Sequence, residues 1–478
     1  MASFYVENFG CRAAQADGAA IEQQFRDRGL ERAAAPARAG IVVLNTCTVT
    51  AAADQDARAA IRRINRQNPD CQIVVTGCYA QRAPDEIAAL PGVSAVVGNS
   101  HKHRLAQIAL PSTETGSLDT SFVSLSSLLS QKNEAPETSQ RPTTEDQRRV
   151  YVSDIFSHTE LQAAPVFDAA NERTRPNLKV QDGCDNRCSF CVIPSVRGQS
   201  RSLRLEEILA QVNTLVEAGY KEVVISGINL GRWGRDLSAD SQTRAAKSQR
   251  PTTKDQRLEF LVRAILHETS LEKLRISSVE PMDWSIELIQ LMAASPRIAK
   301  HAHVPMQSGS DTVLRRMHRK YRPWHYREKI EKIRAAMPTA AIGADVMTGF
   351  PGETDAEFEE TRRMADDLPF TYLHVFTYSA RPGTPAAAMK RQVPAHVARE
   401  RTRTLRDMSE RKKSAFMHSF VGKRIEAITL NVTDGIHTEA LTDNYLKMTL
   451  KGSHDPNQWI SAEVAAVDDA MLVGSRMA

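Results

Sequence analysis

The sequence predicts an α/β protein in three parts: an N-terminal doubly wound parallel α/β domain, a central partial (β/α)6 barrel and a small C-terminal β-barrel. Three observations predict it. Short apolar runs alternate with helical stretches over the first hundred residues, and the same alternation resumes at Asn177. A stretch rich in Ser, Thr, Gln, Glu and Pro separates the two series, as a linker does. Beyond Phe416 only short alternating segments remain. The 478 residues suit about three domains at roughly 150 residues each. The expected boundaries are residues 1–110, a linker over 111–171, a barrel over 172–413 with an insert near 238–257, and a terminal domain over 414–478.

In the first part, Ser3–Asn8, Ile41–Asn45, Gln72–Gly77 and Val93–Val97 read as strands, and Gln15–Arg28, Ala51–Arg66 and Ala83–Leu90 as helices. Apolar runs of this length between helices mark a parallel, buried sheet. In the second part the strands are Asn177–Gln181, Glu222–Ser226, Lys273–Ser277, His301–Pro305, Ala341–Thr348 and Thr371–Thr377. Helices are expected at Leu205–Ala218, Phe260–Glu268, Ser285–Ala293, His325–Ala336 and Ala356–Asp367, and a basic helix at Ala395–Lys413 leads out. Six βα units in about 220 residues fall short of a complete eightfold barrel. The terminal part carries Glu426–Val432, Leu446–Leu450 and Trp459–Val464 as short strands. The decapeptide SQRPTTEDQR at Ser139–Arg148 recurs as SQRPTTKDQR at Ser248–Arg257. Two polar copies do not make a solenoid, which needs at least three stacked units.

Composition excludes little. Hydrophobic residues make up 41% and charged residues 25%, and the net charge is +5. That permits a nucleic-acid partner without demanding one. Met1–Gly10 is short, mixed and carries Glu7, unlike a signal peptide. No apolar run approaches the ~20 residues a membrane helix needs. A cytoplasmic protein with reduced thiols and no membrane partner is expected. Seven cysteines are few and odd in number, which favours metal or redox chemistry over a disulfide framework.

Those cysteines point to a function. Cys184, Cys188 and Cys191 form CDNRCSFC at the carboxyl end of the first barrel strand, where barrel enzymes build active sites. Three thiolates this close can hold three irons of a [4Fe–4S] cube and leave the fourth open. A zinc site is the competing reading, but zinc usually takes paired C-x-x-C or histidine motifs with four ligands. Cys11, Cys47 and Cys78 each follow a strand of the N-terminal sheet. In a parallel sheet those three loops leave from one edge, where open α/β folds bind ligands. A second three-cysteine cluster site follows, against the alternative of three buried structural cysteines. Cys71 begins the third strand, roughly 23 Å from Cys78 at ~3.3 Å per residue, and reads as structural.

KVQDGCDNRCSFCVIPSVRGQSRS, with Phe190 before the third cysteine, resembles the radical-SAM methylthiotransferase family. So do HVPMQSGSDTVLRRMHRKY, DVMTGFPGET and YSARPGTPA, and NFGC, NTCTVT and VTGCYAQ around Cys11, Cys47 and Cys78. The C-terminal part resembles a TRAM domain, an RNA-binding barrel. NTCTVT, GCYAQ and PGVSAVVGNSHK look most like the branch that acts on threonylcarbamoyladenosine in tRNA; other branches take isopentenyladenosine in tRNA or a ribosomal-protein aspartate. Ala14 departs from that branch, which usually has asparagine there.

The resemblance implies two [4Fe–4S] clusters and S-adenosyl-L-methionine as cofactors. By it, the Cys184/Cys188/Cys191 cluster binds and cleaves S-adenosylmethionine, and the Cys11/Cys47/Cys78 cluster carries the sulfur. The substrate is an anticodon-loop adenosine of tRNA, and an unidentified electron donor and sulfur source complete the reaction. Phe190, Gly227, Ser278, Glu280, Gln307 and Asp345 are the candidate cofactor contacts, each with a structural role in cap or loop as its competing reading. Arg315, Arg316, Arg319, Lys320 and Arg322, with Tyr321 and Trp324 among them, form a candidate RNA-binding stretch. Arg399, Arg401, Arg403, Arg406, Arg411, Lys412 and Lys413 form another, or else a solvated helix face, because Glu400, Asp407 and Glu410 intervene. A zinc-stabilised RNA-binding protein without redox chemistry is the alternative from another class.

Overall fold

The structure, a computed structural model, describes residues 3–110, 149–158, 161, 175–237 and 257–476. Both SQRPTT copies lie outside these residues, apart from Arg257.

Four apolar runs and two short edge segments make the N-terminal sheet. Its strands are β1 (Ser3–Asn8), β2 (Glu31–Arg32), β3 (Ile41–Thr46), β4 (Gln72–Gly77), β5 (Val93–Gly98) and β6 (Arg149–Tyr151), all parallel, in the order β2-β1-β3-β4-β5-β6. Val42, Leu44, Ile73 and Val75 face the helix Ala51–Gln67, which buries Ala57, Ala60, Ile61 and Ile64. Val43, Val74 and Val97 face the other way, against Ile21 and Phe25 of the helix Arg12–Arg26 and Leu105. Both faces are therefore covered, as the near-continuous apolar runs require. The polar stretch before Arg149 hides the sixth strand from a reading of the sequence.

The central strands are β7 (Asn177–Asp182), the two-residue β8 (Arg201–Ser202), β9 (Glu222–Gly227), β10 (Lys273–Ile276), β11 (His301–His303), β12 (Ala341–Thr348) and β13 (Tyr372–Thr377). They pair as β10-β9-β7-β8 and as β11-β12-β13, and a parallel bridge from Leu274 to Ile298 joins the two groups. Leaving aside antiparallel β8, the six long strands run in sequence order with helices between them, the partial barrel expected. Beyond the helix Ala395–His418 lie β14 (Arg424–Thr433), β15 (His437–Thr442), β16 (Lys447–Lys451), β17 (Trp459–Asp468) and β18 (Met471–Arg476). They close in the order β14-β15-β16-β18-β17 around Ala427, Met448, Ala462 and Leu472. This closed five-stranded barrel fits a TRAM domain.

Buried charges fasten the first domain to the second. Asp17, on the helix after Cys11, takes ion pairs from Lys102 (2.9 Å), from Lys179 of β7 and from Arg197 (3.0 Å). Asp182 takes Lys179 (2.9 Å) and both oxygens' worth of Arg197 Nη1 (3.0 Å each). None of these five residues is more than 6% exposed. The C-terminal barrel is fastened through Tyr445, whose backbone has φ +70°. Its hydroxyl accepts from Arg12 Nη2 (3.1 Å), and the Arg275 guanidinium lies 5.2 Å from its ring centre.

Burial alone would raise the Asp17 carboxyl, but Lys102, Lys179 and Arg197 outweigh it and hold the group well below the usual carboxylate range. Asp17→Ala leaves three cations short of a partner and is expected to cost about 3–5 kcal/mol in urea denaturation at pH 7. A carboxyl with a depressed folded pKa keeps its contribution above its unfolded value of about 3.9 and loses it as pH falls through the folded one. The difference between parent and variant should therefore persist from pH 8 down to about pH 4.

Candidate functional site

Strand β7 ends at Asp182, and Gly183 turns the chain with φ +71° into the loop that carries Cys184, Cys188 and Cys191. A side chain at Gly183 would meet the Gln199 carbonyl oxygen at 1.8 Å. The three cysteines line one cavity together with Phe190, Ser278, Glu280, Gln307 and Asp345. Five of the six proposed cofactor contacts thus come together there. Gly227 stands apart: Gln181 fills the place its side chain would take, with Oε1 at 2.8 Å, and the wall is formed by Ile228 and Asn229.

Burial pushes the Cys191 thiol up to about 12, and Cys188 and Cys184 add to it. Burial also raises Cys184. Thiolates, the metal-binding form, need compensation in such a place. Donors supply it: Asn186 N (3.4 Å) and Asn229 Nδ2 (3.6 Å) point at Cys184 Sγ, and Arg319 Nη1 (3.4 Å) at Cys188 Sγ. Arg319 is buried, ion-paired with Glu280 and bonded to the Tyr321 hydroxyl at 3.3 Å. Tyr321 donates in turn to the Met306 carbonyl at 2.6 Å. The first basic stretch is therefore not an RNA surface at its centre. Arg319 and Tyr321 face inward, Arg316 pairs with Glu357 (2.8 Å), and Arg315 and Arg322 pair with Asp311. In the second stretch Arg401 is buried against Glu353 (2.7 Å) and Lys412 donates to the Leu368 carbonyl (3.0 Å). Charge density in the sequence did not separate these inward roles from solvated ones.

Asp345 holds His303 Nε2 at 3.2 Å and His374 Nδ1 at 3.4 Å. Burial works against its charge, but bonds from both imidazoles hold the carboxyl well below the ordinary range.

Cys11 precedes the helix Arg12–Arg26, Cys47 follows β3 and Cys78 opens the short helix after β4. The order β2-β1-β3-β4-β5 switches direction between β1 and β3, where such sheets leave a crevice. Cys11 and Cys47 lie on the two sides of that switch. Gly10, at φ +97°, brings the loops into contact: a side chain there would sit 2.7 Å from Cys47 Cβ and 2.9 Å from its sulfur. Burial pushes Cys47 up to about 11, with Cys78 and Cys11 adding to it, so the three sulfurs feel one another. Asn99 Nδ2 points at Cys78 Sγ (3.6 Å) and donates to the Val196 carbonyl of the central domain (2.7 Å). Cys71 lies elsewhere, in the apolar cluster around Ile61 and Ile73, where burial raises its thiol.

The loop after Cys47 reaches the space beside Cys191. A second, smaller cavity has Val49 and Thr50, from the loop after Cys47, on one side and Phe190, Cys191, Gln307 and Tyr378 on the other. It shares Phe190, Cys191, Ile193 and Gln307 with the larger cavity. Ala51 N donates to Ser379 Oγ (3.0 Å) across the seam. Three thiols, amide and guanidinium donors aimed at two of the sulfurs, and a cavity beside them make a donor set that fits an iron–sulfur cluster. Asn99, Asn186, Asn229 and Arg319 escaped the sequence reading because each belongs to a common residue type and most sit far along the chain from the sulfur they serve.

A profile described as the Radical SAM superfamily matches residues 178–365, and one described as uncharacterized protein family UPF0004 matches residues 3–98. The threonylcarbamoyladenosine tRNA methylthiotransferase MtaB of Bacillus subtilis is 36% identical, over 95% of this chain and 92% of its own length. The chain belongs to the radical-SAM tRNA methylthiotransferase family. MtaB of Aquifex aeolicus is 34% identical over 93% of this chain and 96% of its own length. A tRNA-2-methylthio-N(6)-dimethylallyladenosine synthase of Thermobifida fusca is 32% identical over 89% and 77%. Among solved structures, the radical S-adenosylmethionine methyltransferase TsrM of Kitasatospora setae, with tryptophan and a SAM analogue, superposes with TM-score 0.51. It covers 80% of this chain and 74% of that one at 15% identity, a likeness of fold. Family membership brings S-adenosylmethionine and one [4Fe–4S] cluster as cofactors. It also sets aside the zinc-stabilised RNA-binding alternative. Among the described residues no helix is long and apolar enough to cross a membrane.

Gly183→Ala forces a side chain into a left-handed backbone and against a fixed carbonyl. It should lower stability by at least about 1–3 kcal/mol from strain alone, read as a shift in denaturant midpoint.

Proposed function

We propose that this enzyme methylthiolates carbon 2 of N6-threonylcarbamoyladenosine at position 37 of tRNA, in the cytoplasm, using two [4Fe–4S] clusters. The observation that carries the proposal is the pair of cysteine trios, each at the carboxyl ends of parallel strands, with Val49 and Thr50 from the loop after Cys47 lining one cavity together with Cys191. Cys184, Cys188 and Cys191 hold one cluster, and Cys11, Cys47 and Cys78 hold the other. When bound, the first cluster and S-adenosylmethionine supply a one-electron cleavage, and the second cluster supplies the sulfur.

The protein's own groups prepare that chemistry. Arg319 and Asn229 stabilise the thiolates of Cys188 and Cys184 by charge-assisted and amide hydrogen bonds. Glu280 fixes the Arg319 guanidinium, and Asp345, held charged by His303 and His374, presents an acceptor to the cavity. Phe190 and Ile193 form an apolar wall common to both cavities and exclude water from the space between the trios. The threonylcarbamoyladenosine substrate is favoured by the relatives at 36% and 34% identity, and the isopentenyl-type substrate rests on relatives at 31–33%. An external electron donor and a sulfur source complete the reaction.

Mass spectrometry of tRNA nucleosides from a deletion strain tests the substrate. The methylthio form of threonylcarbamoyladenosine should vanish and the methylthio form of isopentenyladenosine should stay; the reverse pattern overturns the reading. In anaerobically reconstituted protein, Cys188→Ala should abolish cleavage of S-adenosylmethionine and lower iron from about eight to about four per chain. Cys47→Ala should lose the same iron, keep the cleavage and stop sulfur insertion.

A further inference from the structure

Strands β11, β12 and β13 place His303, Asp345 and His374 on one face of the central barrel. The register dictates this. Asp345 pairs with His374, and His303 pairs with Gly343, two residues before Asp345 and so on the same face. His303 Nε2 lies 3.2 Å and His374 Nδ1 3.4 Å from the same oxygen, Asp345 Oδ1. The three ligand atoms all lie within 4.8 Å of one another. In a tetrahedral site with metal–ligand bonds of about 2.0–2.1 Å, neighbouring ligand atoms stand ~3.3–3.4 Å apart. Both contacts to Asp345 fall close to that spacing.

Direction adds to distance. His303 is 8% exposed, and its Nε2 is buried without a directed hydrogen-bond partner among the described residues, although a carboxylate stands beside it. Its other nitrogen, Nδ1, lies 3.2 Å from the Tyr372 hydroxyl, which lies 2.7 Å from His301 Nε2. That hydroxyl has one proton for two nitrogens. The shorter contact suits donation by the hydroxyl to His301, and the longer one donation by His303 Nδ1–H. Neutral His303 then turns the lone pair of Nε2 toward the carboxylate, acceptor beside acceptor. A cation on that lone pair satisfies both groups. It also stands to the side of the nitrogen–oxygen line, which accounts for a short contact without a hydrogen bond. Tyr372 is itself fixed, because its ring fills the place a side chain at Gly343 would take, with Cζ at 2.1 Å. A ligating histidine normally has its second nitrogen held in this way.

We propose that His303, Asp345 and His374 bind one divalent zinc ion, separate from the cysteine trios. Two imidazoles and a carboxylate are a donor set that zinc takes with a fourth position left open. The His374 side chain is 63% exposed, which gives the ion a way in and leaves the fourth position to water. Asp345 also lines the cavity of Cys184, Cys188 and Cys191, so the ion sets the charge and orientation of one wall of that cavity. The inference does not depend on how many clusters the cysteines hold.

The test uses the reconstituted full-length enzyme with its iron content measured first. It is equilibrated with zinc sulfate and desalted, the retained zinc is counted, and X-ray absorption at the zinc edge reads the ligand shell. The parent should keep about one zinc per chain, with nitrogen and oxygen neighbours at about 2.0–2.1 Å. His374→Ala and Asp345→Asn should each raise the Kd for zinc tenfold or more while keeping the parent's iron. Added zinc should raise the urea midpoint of the parent and leave that of His374→Ala where it was. A parent that retains no zinc overturns the proposal. So does zinc whose neighbours are sulfurs at about 2.3 Å, which marks metal on vacant cysteines. An unchanged Kd in His374→Ala overturns it too. If Asp345→Asn does not fold, His374→Ala, at an exposed position, decides alone.

Discussion

The ion-pair network of Asp17, Lys102, Lys179, Arg197 and Asp182 sets where everything else in the site can be. Charges this deeply buried must find partners, because each one left alone costs several kcal/mol. The partners come from both domains, so the domains have one docked arrangement that satisfies them. The same residues lie close in sequence to the cysteines. Asp17 is six residues beyond Cys11, Arg197 six beyond Cys191, and Asp182 two before Cys184. Satisfying the charges therefore also places one cysteine trio against the other. A buried ion-pair network is weak evidence for stability, and its better-attested use is to specify a single register. Here the register it specifies is that of two sheet edges, each carrying a cysteine trio.

What the sequence made legible follows from the same physics. Parallel strands buried on both faces need unbroken apolar runs, and IVVLNT, QIVVTG and EVVISG announce themselves. The short edge strands Glu31–Arg32 and Arg201–Ser202 do not, since two residues carry no period. In the terminal barrel, His437–Thr442 and Met471–Arg476 went unread because small and polar residues meet the barrel's interior demands there. Gly474, for example, lies where a side chain would sit 2.5 Å from the Met448 sulfur. The cysteines were legible by spacing and by their place after strands. Their hydrogen-bond donors were not. Arg319 sits in a run of arginines that reads as surface, and only the fold reveals that it alone of the run turns toward Cys188. Gly227 misled in the other direction. Its lack of a side chain makes room for Gln181, a matter of packing, whereas the cavity wall begins one residue later.

The interior of the central barrel carries a second dependence, this time on the C-terminal domain. Beside the cavity that Asp345 lines, the barrel holds hydrogen-bonded polar side chains where a complete barrel would have aliphatic layers. Tyr445, from the terminal barrel, packs on His301 with centroids 4.8 Å apart. His301 Nε2 meets the Tyr372 hydroxyl at 2.7 Å, and that hydroxyl meets His303 Nδ1 at 3.2 Å. His303 Nε2 then reaches Asp345, on the cavity wall, at 3.2 Å. Burial and the neighbouring Arg275 hold His301 neutral, so its ring has one donor and one acceptor nitrogen. Each member fixes the hydrogen-bonding role left to the next. The orientation of the Asp345 carboxylate is thus tied, through four side chains, to the docking of the domain that resembles an RNA-binding module. Tyr445 accepts a left-handed backbone to reach that position, and strain of this kind persists only where surrounding contacts over-determine it. Arg12 and Arg275 are those contacts, one from each of the other two domains. The three parts of the chain therefore meet at one aromatic ring, and the geometry of the cavity that Asp345 lines is a property of their assembly more than of the barrel alone.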